Sequence, residues 1–208
     1  MKSELVIFEA ADGSGKTTQA KLIADAMAAK YLAQPSGTNL VGFLRKEVKE
    51  NKVYQPFERQ LLHCVSHVTD AFKEFRGQSL VMDRCPISGT IYGPIMGLTE
   101  AQMSVLNEIH KSVYRECIAE YGYNVTLIYL TVDQRMNDKD QSHYEQVCSW
   151  GDIKNNYNKS YIEQYSLGAT GNGFFGPTQK TFQHKVTGTK EETFKQLMNI
   201  IEGAHATK

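Results

Sequence analysis

Residues 10–17 read Ala-Ala-Asp-Gly-Ser-Gly-Lys-Thr, between an apolar run at residues 5–8 and a stretch of helical periodicity at 16–30. Strand, glycine turn and helix in this order make a phosphate-binding loop. Gly13 and Gly15 let backbone N–H groups curl around phosphate oxygens, and the helix N-terminus adds its positive dipole end. Lys16 is expected as a solvent-facing point charge for the β- and γ-phosphates, and the Thr17 hydroxyl as an Mg²⁺ ligand. Ala10 stands where such loops usually carry their first glycine, which is tolerated if its φ is negative. The candidate ATP contacts are Ala10, Ala11, Asp12, Gly13, Ser14, Gly15, Lys16, Thr17 and Thr18.

A loop of this kind constrains the rest of the chain. Apolar strand candidates at 79–82, 125–132 and 182–186 alternate with helical stretches at 39–50, 57–75, 99–120, 143–167 and 191–201. Thr99, with Gln102 three residues on, predicts a capping box. Alternation of this kind predicts an α/β fold, a parallel sheet covered by helices on both faces. Residues 168–176, rich in Gly and Asn, are expected as a mobile surface loop. Nothing in 208 residues marks a second domain.

Lys+Arg and Asp+Glu are 23 each. The resulting formal charge of zero argues against a protein that wraps long nucleic acid. No apolar run approaches the roughly 18 residues of a membrane helix, and residues 1–4 lead straight into a strand rather than a leader. Cys64, Cys85, Cys117 and Cys148 are widely spaced, without a C-x-x-C pair. They are expected as free thiols in a reducing cytoplasm. No N-K-x-D guanine-reading motif is present. Asp83 ends the 79–82 strand, where a carboxylate can hold Mg²⁺, and Arg84 follows it.

At Asp83-Arg84 the chain resembles the thymidylate kinases, P-loop enzymes that convert dTMP to dTDP. The family pattern E-G-x-[DE]-G-x-G-K-[ST]-T stands here as E-A-A-D-G-S-G-K-T-T, and D-R-[YH]-x-x-S as D-R-C-P-I-S, residues 83–88, followed by Tyr92. R-E-P-G-G-T stands as A-Q-P-S-G-T, residues 33–38. The resemblance implies a three-layer P-loop NTPase fold over the whole chain, a five-stranded parallel sheet flanked by helices, with a short lid at about 133–145, Mg²⁺ as cofactor, ATP as donor and a homodimer. It implies catalytic roles for Lys16, Arg84, Asp12 and Arg135, Arg135 acting from the lid with Lys139 as a second lid cation or a solvated loop residue. It places Gln34, Pro35, Arg45, Ser88 and Tyr92 with Asp12 and Arg84 around the acceptor.

The chain departs from the family around the nucleoside. A phenylalanine and, four residues on, an arginine meet the base in family members, and His63 and His67 stand at those places. Spacing of i and i+4 puts both on one helix face. They are expected either as base readers or as ordinary helical histidines, with a metal pair much less favoured. Gln34 replaces the glutamate of R-E-P, and Gly93 a frequent glutamine. The reading leaves dTMP as the preferred acceptor, another deoxynucleoside monophosphate as the alternative, and a non-catalytic nucleotide switch as the rival class.

Overall fold

The computed structural model describes residues 3–34, 55–136 and 148–206. Among the described residues eleven elements follow one another: β1 (Glu4–Glu9), α1 (Lys16–Ala26), β2 (Lys30–Ala33), α2 (Pro56–Glu74), β3 (Leu80–Asp83), α3 (Ile87–Ile95), α4 (Glu100–Tyr121), β4 (Asn124–Thr131), α5 (Trp150–Ala169), β5 (Gln179–Lys185) and α6 (Lys190–Ala206). The five strands form one parallel sheet in the order β2-β3-β1-β4-β5.

Strand periodicity sorts the core into two layers, since neighbouring side chains point to opposite faces. Leu5, Ile7, Leu80, Met82, Val125 and Leu127 pack with Ala71 of α2 and its C-cap Phe75, and with Tyr114, Ile118, Ile153 and Tyr157 of α4 and α5. Val6, Phe8, Val81, Ile128 and Leu130 pack with Ala20, Ile23, Leu197 and Ile201 of α1 and α6. Helices therefore cover both faces, the three-layer arrangement expected of the sequence. The sheet order turns around at β1, between β3 and β4, and a parallel sheet opens its ligand crevice beyond the carboxyl ends at such a point. Glu9, Asp83 and Gln34 all lie at that edge, in register: Phe8 pairs with Asp83, and Ala33 with Asp83 from the other side.

Local signals set several boundaries. Thr99 and Gln102 form the reciprocal capping box, with bonds of 3.0 and 3.3 Å, and Gly122 (φ 66°) ends α4 in the left-handed conformation. Helix α1 stops at Ala26 instead of running to residue 30, because Ala28 turns left-handed (φ 49°) and Lys30 opens β2. Helix α5 starts at Trp150, later than the expected 143, because Ser149 caps it by accepting from the Asp152 N–H. The expected helix at 39–50 and residues 143–147 lie outside the described residues.

The 168–176 stretch is a correction. Its Phe174 and Phe175 are buried among the core aromatics, 3% and 1% exposed. Arg115 donates to the carbonyls of Phe174 (3.1 Å) and Gly173 (2.8 Å), and the carboxamides of Gln164 and Gln179 accept the Phe174 and Phe175 N–H groups. Glycines allow the tight path, but two phenylalanines and buried amides anchor it.

Candidate active site

Helix α1 begins at the phosphate loop. Gly13 and Gly15 both hold φ of 76°, and Gly15 is the helix N-cap. A Cβ on Gly15 would also come within 3.3 Å of the Met136 sulfur. Ala10 keeps a negative φ and is wholly buried, which is why alanine serves there. Ser14 steadies the curve by donating to the Ala11 carbonyl at 2.8 Å.

Lys16 is not solvent-facing: it is 7% exposed, and its ammonium pairs with Oδ1 of Asp83, across the β1–β3 crevice. The other Asp83 oxygen accepts from Thr17 Oγ1 at 2.5 Å and from the Tyr31 hydroxyl at 3.1 Å. Burial pushes the Asp83 carboxyl up, but the Lys16 charge with the Lys16 and Thr17 hydrogen bonds outweighs it and holds the group below the usual carboxylate range. Thr17 and Asp83 thus offer two converging oxygens to a hard cation. The described residues hold no cluster of three or more His, Cys, Asp or Glu that could cage a metal. The oxygens of Thr17 and Asp83 suit Mg²⁺, a hard cation that few protein oxygens and the substrate phosphates hold.

Arg84 lies one residue beyond and has φ of 72°, rare for a residue with a Cβ. Its N–H donates to the Phe8 carbonyl at 2.9 Å. The next peptide is held by Glu9, whose Oε1 accepts the Cys85 N–H at 2.7 Å and the Cys85 thiol at 3.0 Å. Glu9 Oε2 accepts from Ser88 Oγ at 2.8 Å. Glu9 is wholly buried, which pushes its carboxyl above the usual range, against the pull of Arg84 and of the Cys85 and Ser88 donors. The turned backbone aims the Arg84 guanidinium back over the loop. There Nη2 pairs with Asp12 Oδ1, Nη1 donates to Tyr157 at 2.7 Å and Ser88 at 3.3 Å, and the group sits 5.6 Å from the Tyr92 ring centre.

The segment after β4 returns to the loop. The Met136 N–H donates to the Gly13 carbonyl at 2.9 Å. Arg135 lies over the Trp150 ring, 5.6 Å from its centre, and the Trp150 indole N–H donates to the Asp12 carbonyl at 2.8 Å. Arg135 is thereby rooted beside the phosphate loop. Lys139 and the rest of the expected lid from residue 137 lie outside the described residues, as do Pro35 and Arg45.

Where the nucleoside contacts are expected, Gln34 is buried just beyond β2, its amide donating to Asp70 at 3.2 Å. His67 is buried against α4, edge-on to the His110 ring at 5.5 Å, while His63 is half-buried one turn earlier. Neither ring nitrogen of His110 meets a hydrogen-bond partner among the described residues. Asp12, Lys16, Thr17, Asp83, Arg84, Ser88 and Tyr92 are brought into one connected cluster, as the motifs imply. Glu9, Tyr31, Trp150 and Tyr157 also belong to it. Glu9 lies inside a recognised motif, and Trp150 is the one tryptophan of the chain; Tyr31 and Tyr157 carry no local signal.

A parallel sheet with this order, a glycine loop opening α1 and a Lys-Thr-Asp set across the first crevice define a P-loop nucleoside-triphosphate-binding protein. The family profile described as thymidylate kinase matches residues 8–166. The chain belongs to the thymidylate kinase family. It is 28% identical over 199 residues to a Methanococcus vannielii protein described as "Probable thymidylate kinase", covering 94% of this chain and 93% of that one. A Methanococcus maripaludis protein of the same description is 25% identical over 202 residues, covering 96% and 95%. Among solved structures, the thymidylate kinases of Candida albicans (TM-score 0.65, 18% identity, 97% and 92% covered) and Ehrlichia chaffeensis (0.68, 15%, 97% and 100%) share the fold.

Proposed function

We propose that the protein transfers the γ-phosphoryl group of ATP to the 5′-phosphate of dTMP, releasing ADP and dTDP. The observation that carries this reading is the junction at the β3 end. Asp83 faces the donor side through Lys16 and Thr17, and the next residue, Arg84, faces Asp12 on the other side.

A monophosphate is mostly dianionic at pH 7 and already a nucleophile, so no general base is needed. An acceptor oxygen attacks the γ-phosphorus while the bond to the β–γ bridging oxygen breaks, and that oxygen leaves on ADP. The obstacle is repulsion, about 4 kcal/mol for each unit-charge pair at 4 Å even at an effective dielectric of 20. Lys16 and the backbone of residues 10–18 hold the donor, Arg84 and Arg45 the acceptor phosphate, and Arg135 the transferring group. Asp12 meets the sugar 3′-hydroxyl or the acceptor side. Gln34, Pro35, His63, His67, Ser88 and Tyr92 surround the nucleoside. Thr17 and Asp83 are the residues that would hold Mg²⁺, which would neutralise charge on the donor's phosphates.

The chain acts as one kinase domain over residues 1–208. Free Cys64, Cys85, Cys117 and Cys148 support a reducing, cytoplasmic setting. No described helix is long and apolar enough to cross a membrane. A homodimer is supported by apolar side chains that α2 and α4 leave exposed: Leu61, Val65 and Phe72 lie within about 40° of one another around α2, and Val105 and Ile109 lie on α4.

The test is a coupled ADP-release assay across deoxy- and ribonucleoside monophosphates. Release that depends on dTMP, above the other acceptors, is the expected result. Best turnover with another deoxynucleoside monophosphate shifts the reading to that base, and no acceptor dependence makes the protein a nucleotide switch.

A further inference from the structure

Tyr157 comes from α5, 73 residues from Arg84 in sequence and outside every motif. Its ring is 2% exposed and packs edge-on to Tyr92 at 6.2 Å. A phenylalanine would fill that volume equally well, so the hydroxyl needs a separate explanation. It accepts from Arg84 Nη1 at 2.7 Å and lies 3.3 Å from Ser88 Oγ, which donates to Glu9. Ser88 directs its one hydrogen to Glu9, so the phenol hydrogen turns toward Ser88. A directed chain results: Arg84 to Tyr157, Tyr157 to Ser88, Ser88 to the Glu9 carboxylate.

We infer that Tyr157 is a positioning residue that fixes the plane of the Arg84 guanidinium for the acceptor phosphate. Asp12 holds one end of the fork from the phosphate loop and Tyr157 the other from α5, which leaves the group little rotation. A neutral phenol suits this place. A second carboxylate would orient the guanidinium equally well but cancel the charge that the phosphate dianion needs. Burial pushes the Tyr157 phenol far above its ordinary range, more than the Arg84 charge pulls it down, so it stays neutral wherever the enzyme can work. Tyr157 touches no reacting atom in this role and acts only through Arg84.

The inference rests on the reading of Arg84 as an acceptor-phosphate ligand. Its test is Tyr157→Phe in the full chain, alone and combined with Arg84→Ala. Steady-state kinetics with ATP and dTMP are read beside dTMP binding by calorimetry. Loss of one hydrogen bond to a charged group, with Asp12 and Ser88 still in place, raises the dTMP KM about tenfold. The ATP KM stays within about twofold and the thermal midpoint within a few degrees. In the Arg84→Ala background, Tyr157→Phe changes dTMP affinity no further. An unchanged dTMP KM overturns the inference. So does a tenfold loss that persists without Arg84, which would place the hydroxyl on the nucleotide itself. Wild-type protein lacking dTMP-dependent ADP release removes the kinase reading first; normal wild-type turnover with either overturning result removes this inference alone.

Discussion

Replacing Lys16 with methionine keeps the side-chain stem and removes the ammonium. An exposed lysine would lose only activity, but Lys16 is buried against a buried Asp83. Removing one partner of a buried ion pair costs about 3–5 kcal/mol. Thr17 and Tyr31 still donate to Asp83 and recover part of this, leaving a loss of about 2 kcal/mol at pH 7. The pH dependence has a definite sign. In the wild type the Asp83 carboxyl is held below its ordinary 3.8, so the pair's stabilisation is complete above that value and is lost as pH falls through the lower one. In Lys16→Met the upward push of burial goes unopposed by the ammonium. The carboxyl then rises toward its ordinary range, so the variant loses less stability in acid than the wild type does. Urea unfolding without nucleotide should show the gap to wild type greatest at neutral pH and shrinking below about pH 4. Lys16→Met with Asp83→Asn should return close to wild-type stability while remaining inactive, because both charges are gone. Phosphoryl transfer by Lys16→Met should fall about a thousandfold. An unaltered urea midpoint at pH 7, or a gap that widens in acid, refutes the Lys16–Asp83 account.

His110, whose ring burial lowers to a pKa of about 4 from 6.5, stays neutral in the fold while the unfolded chain binds a proton. Stability should therefore be full above pH 6.5 and decline toward pH 4 by up to about 1.4 kcal/mol per unit; His110→Leu should remove that slope, and an identical slope in both proteins would assign the acid sensitivity elsewhere. His67→Arg, which restores the family's residue, should raise dTMP selectivity several-fold and His63→Phe should tighten dTMP binding; unchanged selectivity in both means that the histidines do not read the base.

The phosphate loop, β1 and β4 were legible because their signals are local: a glycine turn between an apolar run and a helix, and β-branched residues in a row. The α4 cap was legible for the same reason, from Thr99 and Gln102. Strand β2 was not, since Lys-Tyr-Leu-Ala is short and continues a helical pattern without a break. Helix α3 was hidden by its own composition. Gly89, Gly93 and Pro94 are poor helix formers, and burial of Ile87, Ile91 and Tyr92 decides the matter. In the site, the motifs named Asp12, Thr17, Asp83 and Arg84, but the burial of Lys16 depends on a partner 67 residues away. The Tyr157 hydroxyl and the Phe174–Phe175 anchor likewise exist only after distant segments pack.

The central claim is transfer to a nucleotide acceptor rather than to water, and the position of the transferred phosphoryl group decides it. ATP carrying ¹⁸O on its γ-phosphoryl group is incubated with the wild-type protein, Mg²⁺ and dTMP, and the products are separated and weighed by mass spectrometry. The account predicts the label in the β-phosphate of dTDP, with one ADP formed for each dTDP. Label recovered only in inorganic phosphate, with dTMP unchanged, would contradict it.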